Sequence, residues 1–485
     1  MILRKVGGPL LPGPAFTGLL VDFLGDFSLS GTMMGKVNYR YVTTGLRQFT
    51  FGVVCVTMLA LVAAPARAVS LLRDPDIENA LNQIARPILN AAGLGSNVRV
   101  LVVHDSSLNA FVVDTQHIFI HSGLLLRMEN ADMLQAVIAH EAAHIANGHL
   151  ARRHQNIGTA KTVAGLGIAL SAIAAAATGN SEAAAGAAFG ITNSAQRVFL
   201  SHTRAEEASA DKSGLSYMVR AGADTQGAVD VFELFRGQEL LKNSRQDPYV
   251  RSHPLTRDRL RSAKAAADAY AGKALPDAAK AYWFGRAKGK LSAFIRNPKW
   301  TIGRLKDSPS EDVRLMREAV ALHRQSKTSK AVATLDKALA LRPGDPYYYE
   351  LRGQFLIESR DARGAAASYK RCVDRLSGNA LCLGSYGRAL LAAGDARSAL
   401  GALEKARSLD FRDSRILRDL ASAYAQTGNP GMASVAAAER YALQGRMKDA
   451  GIQANRAAGL LPEGSGGWRR AQDIISAAKR AEKKK

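Results

Sequence analysis

The feature that most constrains this fold is a repeat of 34 residues in the second half of the chain. Two series of polar residues suited to capping helices keep this spacing: Asp345, Asn379 and Asp413, and then Asp361, Asp395 and Asn429. Each of them precedes a segment with the apolar pattern of a helix. One pair of short helices cannot bury its apolar side alone, so this period predicts helix pairs stacked on one another.

A helix–turn–helix period of this length, with small residues where helices cross, is the tetratricopeptide pattern. It begins near residue 310, after a basic and aromatic connector that reads YWFGRAKGKLSAFIRNPKW. We therefore expect an all-α tetratricopeptide-repeat domain over residues 305–485, with irregular helices capping its end.

The N-terminal region has the features of an export signal. Residues 49–64 read FTFGVVCVTMLALVAA, an uncharged apolar run that follows Arg40 and Arg47 and ends in PARA at Ala68. This order is typical of a secretory signal peptide, and the run is short for a spanning helix. We assign residues 1–68 to an N-terminal extension and signal peptide, with an uncleaved signal anchor as the alternative. Because the extension is unusually long, a translation start at Met33 or Met34 is a further hypothesis.

Two cysteines, Cys372 and Cys382, remain beyond the predicted signal peptide. An exported protein can join them. They lie on opposite sides of a predicted helix turn, however, and facing helix axes lie about 8–10 Å apart, whereas a disulfide needs Cα atoms within about 7 Å. We therefore favour buried free thiols over a bridge.

The chain carries a formal net charge of +23. This charge permits contact with nucleic acid or with an anionic membrane surface. The basic residues are scattered, and the groove-reading motifs and aromatic ladders of nucleic-acid binders are missing. We expect no nucleic-acid partner, and we keep peripheral membrane contact open.

The region between signal and repeats mixes strands and helices. VRVLVVHD (98–105) and AFVVDTQHIFIHSGLL (110–125) are rich in β-branched and aromatic residues and predict strands. A helix precedes them, and another begins at Asn130 or Asp132. The expected fold class is α+β, mainly α, with a small sheet in a domain over residues 69–304.

The strongest chemical signal is the stretch AVIAHEAAHIANGH. On a helix, His140 and His144 lie one above the other, where two imidazoles can bind one zinc ion. Glu141 lies about 100° round the helix, so it can act as the base for a zinc-activated water. A chance H-E-x-x-H occurs in about one such sequence per hundred. The alanines around it indicate a buried helix, in which these polar groups would be costly without a metal.

A third ligand is expected from the segment TRAEEASAD. Glu207 would complete a His₂Glu zinc site, and Glu206 competes for that role. Asp211, one turn later, can accept the spare N–H of a histidine ligand, and Arg204 precedes Glu207. An ordinary solvated, charged helix is the alternative reading of this segment.

These motifs together resemble the gluzincin peptidases of the Ste/CAAX-prenyl-protease, HtpX and Oma type. The chain is most similar to the periplasmic branch of that family that ends in tetratricopeptide repeats. The matching stretches are SSLNAFVVDTQHIFIHSGLL, AVIAHEAAHIANGH, TRAEEASAD and HPLTRDR, followed by the repeats.

The resemblance implies one bound Zn²⁺, held by His140, His144 and Glu207, with Glu141 as the catalytic base. It selects Glu207 over Glu206. It also implies that His253, in the His-Pro loop, can approach the metal and block or tune it. The repeats are then expected to engage clients or machinery of outer-membrane assembly.

Other residues keep more than one interpretation. Asn109 and Phe111 fit an edge strand that pairs with extended substrate, with core packing as the alternative for Phe111, and Arg204 or His253 could stabilise the oxyanion. We interpret the remaining histidines of this region as structural, those at the end of the zinc helix being solvated: His117, His121, His149 and His154. The Ala/Gly-rich tract 162–191 fits a lid, a membrane contact or a buried hairpin.

The expected function is that of a periplasmic zinc metalloendopeptidase acting on misfolded or stalled exported proteins, with chaperone activity as a second role. A chaperone or scaffold for outer-membrane protein assembly that does not cleave is the main alternative. A membrane-embedded peptidase is a third, and it requires true spanning segments.

Overall fold

The computed structural model describes residues 71–151, 204–241, 245–275 and 277–483. The predicted signal peptide, the start at Met33 or Met34, His154 and the tract 162–191 lie outside the described residues. Among the helices that are described, none has the length and apolar character needed to cross a membrane.

The first part of the described chain surrounds a small sheet with helices. Its strands are β1 (Leu71–Leu72), β2 (Arg99–Val103), β3 (Ala110–Val112) and β4 (His117–His121). Its helices are α1 (Pro75–Ala91), α2 (Ser122–Arg127), α3 (Ala131–Ala146), α4 (204–220), α5 (Gln226–Leu234), α6 (Pro248–Ser252), α7 (Arg257–Ala269), α8 (Ala278–Ile295) and α9 (Pro298–Ile302). Short 3₁₀ turns cover Gly95–Asn97, Gln238–Leu240 and Leu305–Asp307.

The sheet has the order β1-β2-β4-β3. Strands β2 and β4 run parallel, and the two outer pairs are antiparallel. Alternate residues such as Val100 and Ile118 are fully buried in the core. Strand β3 therefore lies at one edge of the sheet, beside β4.

The predicted strand over 110–125 is wrong at its end. Helix α2 starts at Ser122, because the chain turns there against the loop after β2. Gly123 fits this turn only because it has no side chain: a Cβ atom would lie 2.1 Å from the carbonyl oxygen of Ser106. The turn redirects the chain towards α3.

Helix α3 is buried on nearly all sides, as its alanine-rich sequence predicts. The Asn130 side chain caps it by accepting a hydrogen bond from the Met133 amide at 2.9 Å. Helix α4 crosses it closely at Gly214, where a Cβ atom would lie 3.2 Å from the backbone of Ala139. This close approach brings the acidic side of α4 against the histidines of α3.

The second part of the chain is an array of helical hairpins. Its helices are α10 (Glu311–His323), α11 (Thr328–Leu341), α12 (Pro346–Glu358), α13 (Ala362–Arg375), α14 (Ala380–Ala392), α15 (Ala396–Leu409), α16 (Ser414–Gln426), α17 (Pro430–Leu443), α18 (Met447–Leu460) and α19 (Gly466–Glu482). The markers of the 34-residue period are N-cap residues, and all except Asn429 accept backbone hydrogen bonds. The predicted fold class, a mainly helical α+β protein with a small sheet and a helical solenoid, is confirmed.

The preference for free thiols is wrong. Cys372 and Cys382 are joined in a disulfide, with their Cα atoms 6.2 Å apart. They lie at facing ends of α13 and α14, beside the short connection between the helices. Residues on either side of a short connection between two helices lie closer together than the axes of packed helices do. The general spacing of helix axes therefore overestimates the Cα–Cα distance between these two cysteines.

Helix α8 links the two parts through buried ion pairs. Arg286 bonds Asp76 of α1 at 2.7 Å and Asp345, the N-cap of α12, at 2.5 Å. Lys290, which is fully buried, lies 3.0 Å from Asp74. One hydrophobic core also continues across the junction, and the described residues from Leu71 onwards belong to one compact unit. The boundary between residues 304 and 305 stays a prediction.

Candidate metal centre

Helix α3 places two imidazoles on one buried face. His140 and His144 are 6% and 2% exposed, and their Nε2 atoms lie 3.1 Å apart. One turn of helix separates them, as the i, i+4 spacing requires. Both nitrogens point towards the same small volume.

Two other elements contribute one side chain each to that volume. Glu207 of α4 lies 3.2 Å from His140 Nε2 and 3.3 Å from His144 Nε2. His253, directly after α6, places Nδ1 at 3.2 Å from His140 Nε2 and 3.0 Å from Glu207. The four side chains form a buried cluster whose donor atoms all lie within 4.8 Å of one another.

This donor set fits a tetrahedrally coordinated metal ion. Ligands at about 2.0–2.1 Å from zinc are separated by about 3.3 Å along each edge of a tetrahedron. Five of the six donor pairs, all except His144 with His253, are 3.0–3.3 Å apart, and the whole set lies within 4.8 Å. Three imidazoles with one carboxylate also match the ligand preferences of zinc.

The two histidines of α3 have pKa values shifted in opposite directions. Burial lowers the pKa of His144 to about 3, reinforced by the charges of His140 and His253, so its imidazole is neutral with a lone pair to offer. Burial also opposes the charged form of His140, but hydrogen bonds with Asp211 and Glu207 outweigh it and raise the pKa to about 10. Despite its burial, Glu207 has a strongly lowered pKa because His253 and both α3 histidines surround it. A cation in the cluster would therefore compete with the proton of His140.

Asp211 lies behind His140, one of the two predicted histidine ligands, as the sequence predicts. Its Oδ1 accepts a hydrogen bond from His140 Nδ1 at 3.0 Å, which leaves Nε2 directed into the cluster. Burial raises the pKa of Asp211, but hydrogen bonds from Arg259 and His140 outweigh this effect and lower it to about 2. Asp211 therefore holds His140 as a carboxylate.

Arg259 is a residue that the sequence reasoning missed. Its guanidinium bonds Asp211 at 2.5 and 2.8 Å, donates to the carbonyl oxygen of Pro254 at 2.7 Å, and lies 3.3 Å from Glu207. It thus ties the loop carrying His253 to the two acidic residues of α4. Its place in HPLTRDR, six residues after His253, was the available signal.

The interpretation of His149 as a solvated histidine at the helix end is wrong. His149 is 2% exposed, and its Nδ1 lies 3.0 Å from His144 Nδ1. On a continuous helix, five residues would turn it about 140° away from His144. Helix α3 ends first, and Gly148, with φ of 68°, turns the chain so that the next helical turn brings His149 back.

Glu141 is fully buried beside the cluster rather than within it. Its Oε1 lies 3.4 Å from His253 Nε2. The position agrees with the helical geometry, which turns Glu141 away from the row of ligands. A carboxylate here can reach a water or substrate atom next to the cluster.

The remaining candidates lie outside the cluster. Glu206 is buried but does not join the four donors found among the described residues, and Arg204 is exposed at the start of α4. Phe111 lies on the edge strand β3, and Asn109 directly precedes that strand. The carbonyl of Leu108, in the same approach to the strand, accepts a hydrogen bond from the Tyr249 amide at 3.1 Å. Phe111 also stacks on Phe119 of β4 at 5.3 Å. The strand edge is thus linked to α6, which precedes His253.

A buried H-E-x-x-H helix with a carboxylate and a third imidazole from separate elements defines a peptidase-type metal centre. Residues 72–267 match the family described as Peptidase family M48, so this part of the chain is a peptidase M48 domain, and the predicted resemblance is confirmed. The beta-barrel assembly-enhancing protease of Escherichia coli K12 is 24% identical over 392 residues, which cover 78% of each protein. The protein of that name from Yersinia pestis is 25% identical over 293 residues, 58% of each chain.

A structural comparison finds MamA from Desulfovibrio magneticus RS-1. It is 20% identical, with a TM-score of 0.30, and the match covers 36% of this chain and 98% of MamA.

We expect His149→Ala to weaken zinc binding about 10- to 100-fold, because His144 would lose the partner that fixes its ring. The affinity can be measured by competition with a chromogenic chelator. His104→Ala, which removes an exposed histidine, is the control. Equal affinities for His149→Ala, the control and the wild type, with all three folded by circular dichroism, would contradict this role.

Proposed function

We propose that the protein is a zinc-dependent endopeptidase of the bacterial periplasm that cleaves misfolded or stalled exported proteins, including outer-membrane proteins. The observation that carries the proposal is the buried Glu141 carboxylate beside a cluster of four metal-type donors. The peptidase M48 domain supports the reaction class. The similarity to beta-barrel assembly-enhancing proteases supports the proposed substrates and compartment.

In this proposal His140, His144 and Glu207 hold one Zn²⁺. A bound zinc ion supplies Lewis-acid chemistry, which makes water acidic enough to deprotonate near neutral pH and polarises a peptide carbonyl. Glu141 takes the proton from the attacking water and delivers it to the leaving amine. Asp211 and His149 fix the ring orientations of His140 and His144, because each pairs with the nitrogen that faces away from the cluster.

His253 holds the site in a resting state. A catalytic zinc site keeps one position open, whereas four protein ligands close it. His253 Nδ1 lies as close to His140 and Glu207 as the other donors do, and its Nε2 faces Glu141. Withdrawal of this single side chain would open the fourth position and, at the same time, free the Glu141 carboxylate to act as the base.

Substrate binding is assigned to the edge of the sheet. Strand β3 contains Phe111, directly follows Asn109 and pairs with β4 on one side. An extended peptide can add to such an edge through backbone hydrogen bonds. The bond between Leu108 and Tyr249 connects this edge to the segment that carries His253.

The solenoid, residues 305–485, is assigned to the binding of clients or of the outer-membrane assembly machinery. Stacked helical hairpins form extended surfaces of the kind used for protein recognition. A role as chaperone or scaffold without cleavage is the second candidate, supported by the closure of the metal site by His253.

Glu141→Gln should reduce cleavage of a casein-type substrate by at least about 100-fold, because an amide cannot accept the proton of water. Zinc content, measured by mass spectrometry of the purified protein, should stay at the wild-type level since no ligand changes. Glu206→Gln is the matched control, because it alters the neighbouring buried glutamate of α4 outside the cluster. Cleavage by Glu141→Gln at the wild-type rate would contradict the mechanism. Full rescue of envelope defects in a deletion strain by this variant would favour the scaffold.

His253→Ala should increase the rate of casein cleavage while zinc remains bound, because three ligands persist and the fourth position opens. Initial rates at equal zinc occupancy are the measurement, with His104→Ala as the control for loss of a histidine. An unchanged or lower rate would show that His253 does not close the site.

A further inference from the structure

A groove of about 400 Å³ lies away from the metal centre, where α8 and α9 meet α10 and the loop after α2. Four basic side chains line it, namely Lys288, Arg296, Arg304 and Arg317. Two acidic side chains, Glu129 and Asp307, also line it. We call this feature the basic groove.

Arg317 is buried in the basic groove without an acidic partner. Four lysine or arginine residues are buried in the described chain, and three of them, Arg259, Arg286 and Lys290, have a carboxylate within 3.0 Å. Arg317 is 5% exposed, and no carboxylate oxygen of the described residues lies within ion-pair distance. A buried charge left unpaired is costly, so a charged arginine retained here indicates an anion that joins it.

The hydrogen bonds of Arg317 leave part of its guanidinium available. One terminal nitrogen donates to Ser308 Oγ at 2.7 Å, whereas the buried Nε has no hydrogen-bond partner among the described residues. Burial lowers the pKa of Arg317, and the more distant Asp307 only partly opposes this effect. The side chain thus keeps donors for a further acceptor.

Lys288 of α8 is a second, half-buried cation of the groove that lacks an acidic partner among the described residues. Its ammonium donates to the carbonyl oxygen of Met128 and lies 5.5 Å from the ring of Phe284. Burial lowers its pKa, with Glu129 opposing weakly, and the described residues place no carboxylate within ion-pair distance of it. Two cations of the groove therefore have only neutral partners.

Trp300 holds two basic side chains in place at the rim of the groove. The guanidinium carbons of Arg296 and Arg304 lie 5.7 and 4.7 Å from its ring centre, as in cation–π contacts. Ile302, two residues on, is 43% exposed, and Lys299 and Lys306 are exposed on the same segment. Aromatic and aliphatic side chains among basic residues are typical of a segment that rests on an anionic membrane surface.

We propose that the basic groove binds a phosphoryl group, and that the group belongs to the headgroup of an anionic phospholipid. Arginine matches phosphate oxygens with paired donors, and Lys288 adds a second charge to the lining of the groove. Free phosphate offers the same oxygens, but only a lipid surface also uses Trp300, Ile302 and the flanking lysines. The groove would orient the protein on a membrane independently of peptide cleavage.

The test is cosedimentation of the full-length purified protein with vesicles of phosphatidylcholine alone or with phosphatidylglycerol added. The wild type should bind the anionic vesicles more strongly. Arg304→Gln and Arg317→Gln should each lower that affinity about fivefold, the effect of one basic residue near an anionic surface. Lys448→Gln, an exposed lysine of α18, is the control and should bind as the wild type does. Residues 1–68 are common to all variants and cannot produce a difference between them.

Arg317 is buried, so its substitution can disturb folding, whereas Arg304 is exposed. A loss of binding in Arg304→Gln therefore cannot be attributed to misfolding. Equal binding to both kinds of vesicle, or equal binding by the groove variants and the control, would overturn the proposal. So would binding of inorganic phosphate that depends on Arg304 and Arg317 while vesicle binding does not, which would assign the groove to free phosphate. If only the binding of a glutamate-rich peptide depends on Arg304 and Arg317, the groove would be assigned to an acidic protein segment. Casein cleavage in solution should be unchanged in both groove variants, which separates this test from that of the peptidase function.

Discussion

The candidate metal centre depends on the close packing of α4 against α3. Alanines on α3 and Gly214 on α4 let the two backbones approach until a single additional Cβ would lie 3.2 Å from Ala139. This approach is what places Glu207 and Asp211 of one helix against His140 of the other. The small residues around the H-E-x-x-H motif are therefore part of the site, since larger side chains would separate the donors.

The fourth element, the segment with His253, is held by a different set of bonds. The Tyr249 amide donates to Leu108, the His253 amide donates to Tyr249 at 2.8 Å, and Arg259 binds the carbonyl of Pro254. Arg259 also binds Asp211, which in turn holds His140. The proposed substrate strand, the proposed regulatory histidine and the ligand carboxylates thus belong to one network, which offers a physical route by which a bound peptide could move His253.

The sequence predicts the fold and the core of the site because both rest on periodic signals. A 34-residue period specifies the hairpins, and an i, i+4 spacing specifies the pair of histidines. Glu207 and Asp211 follow from the same spacing on a second helix, with the resemblance needed to choose Glu207 over Glu206. Apart from that choice, these residues required only the assumption that each segment is a regular helix.

The missed features arise where helices end. His149 is buried because Gly148 turns the chain after α3, and the bridge between Cys372 and Cys382 forms at the short connection between α13 and α14. Arg259 has its role because the chain after α6 folds back over α4, a tertiary contact that carries no local pattern. Spacing along one helix says nothing about such turns.

The central claim is that His140, His144, Glu207 and His253 together close one zinc site. Zinc K-edge X-ray absorption of the purified resting protein tests it most directly. The account predicts a four-coordinate ion with three imidazoles and one carboxylate, and the loss of one imidazole in His253→Ala. A resting spectrum with only two imidazoles, or one unchanged by His253→Ala, would contradict it.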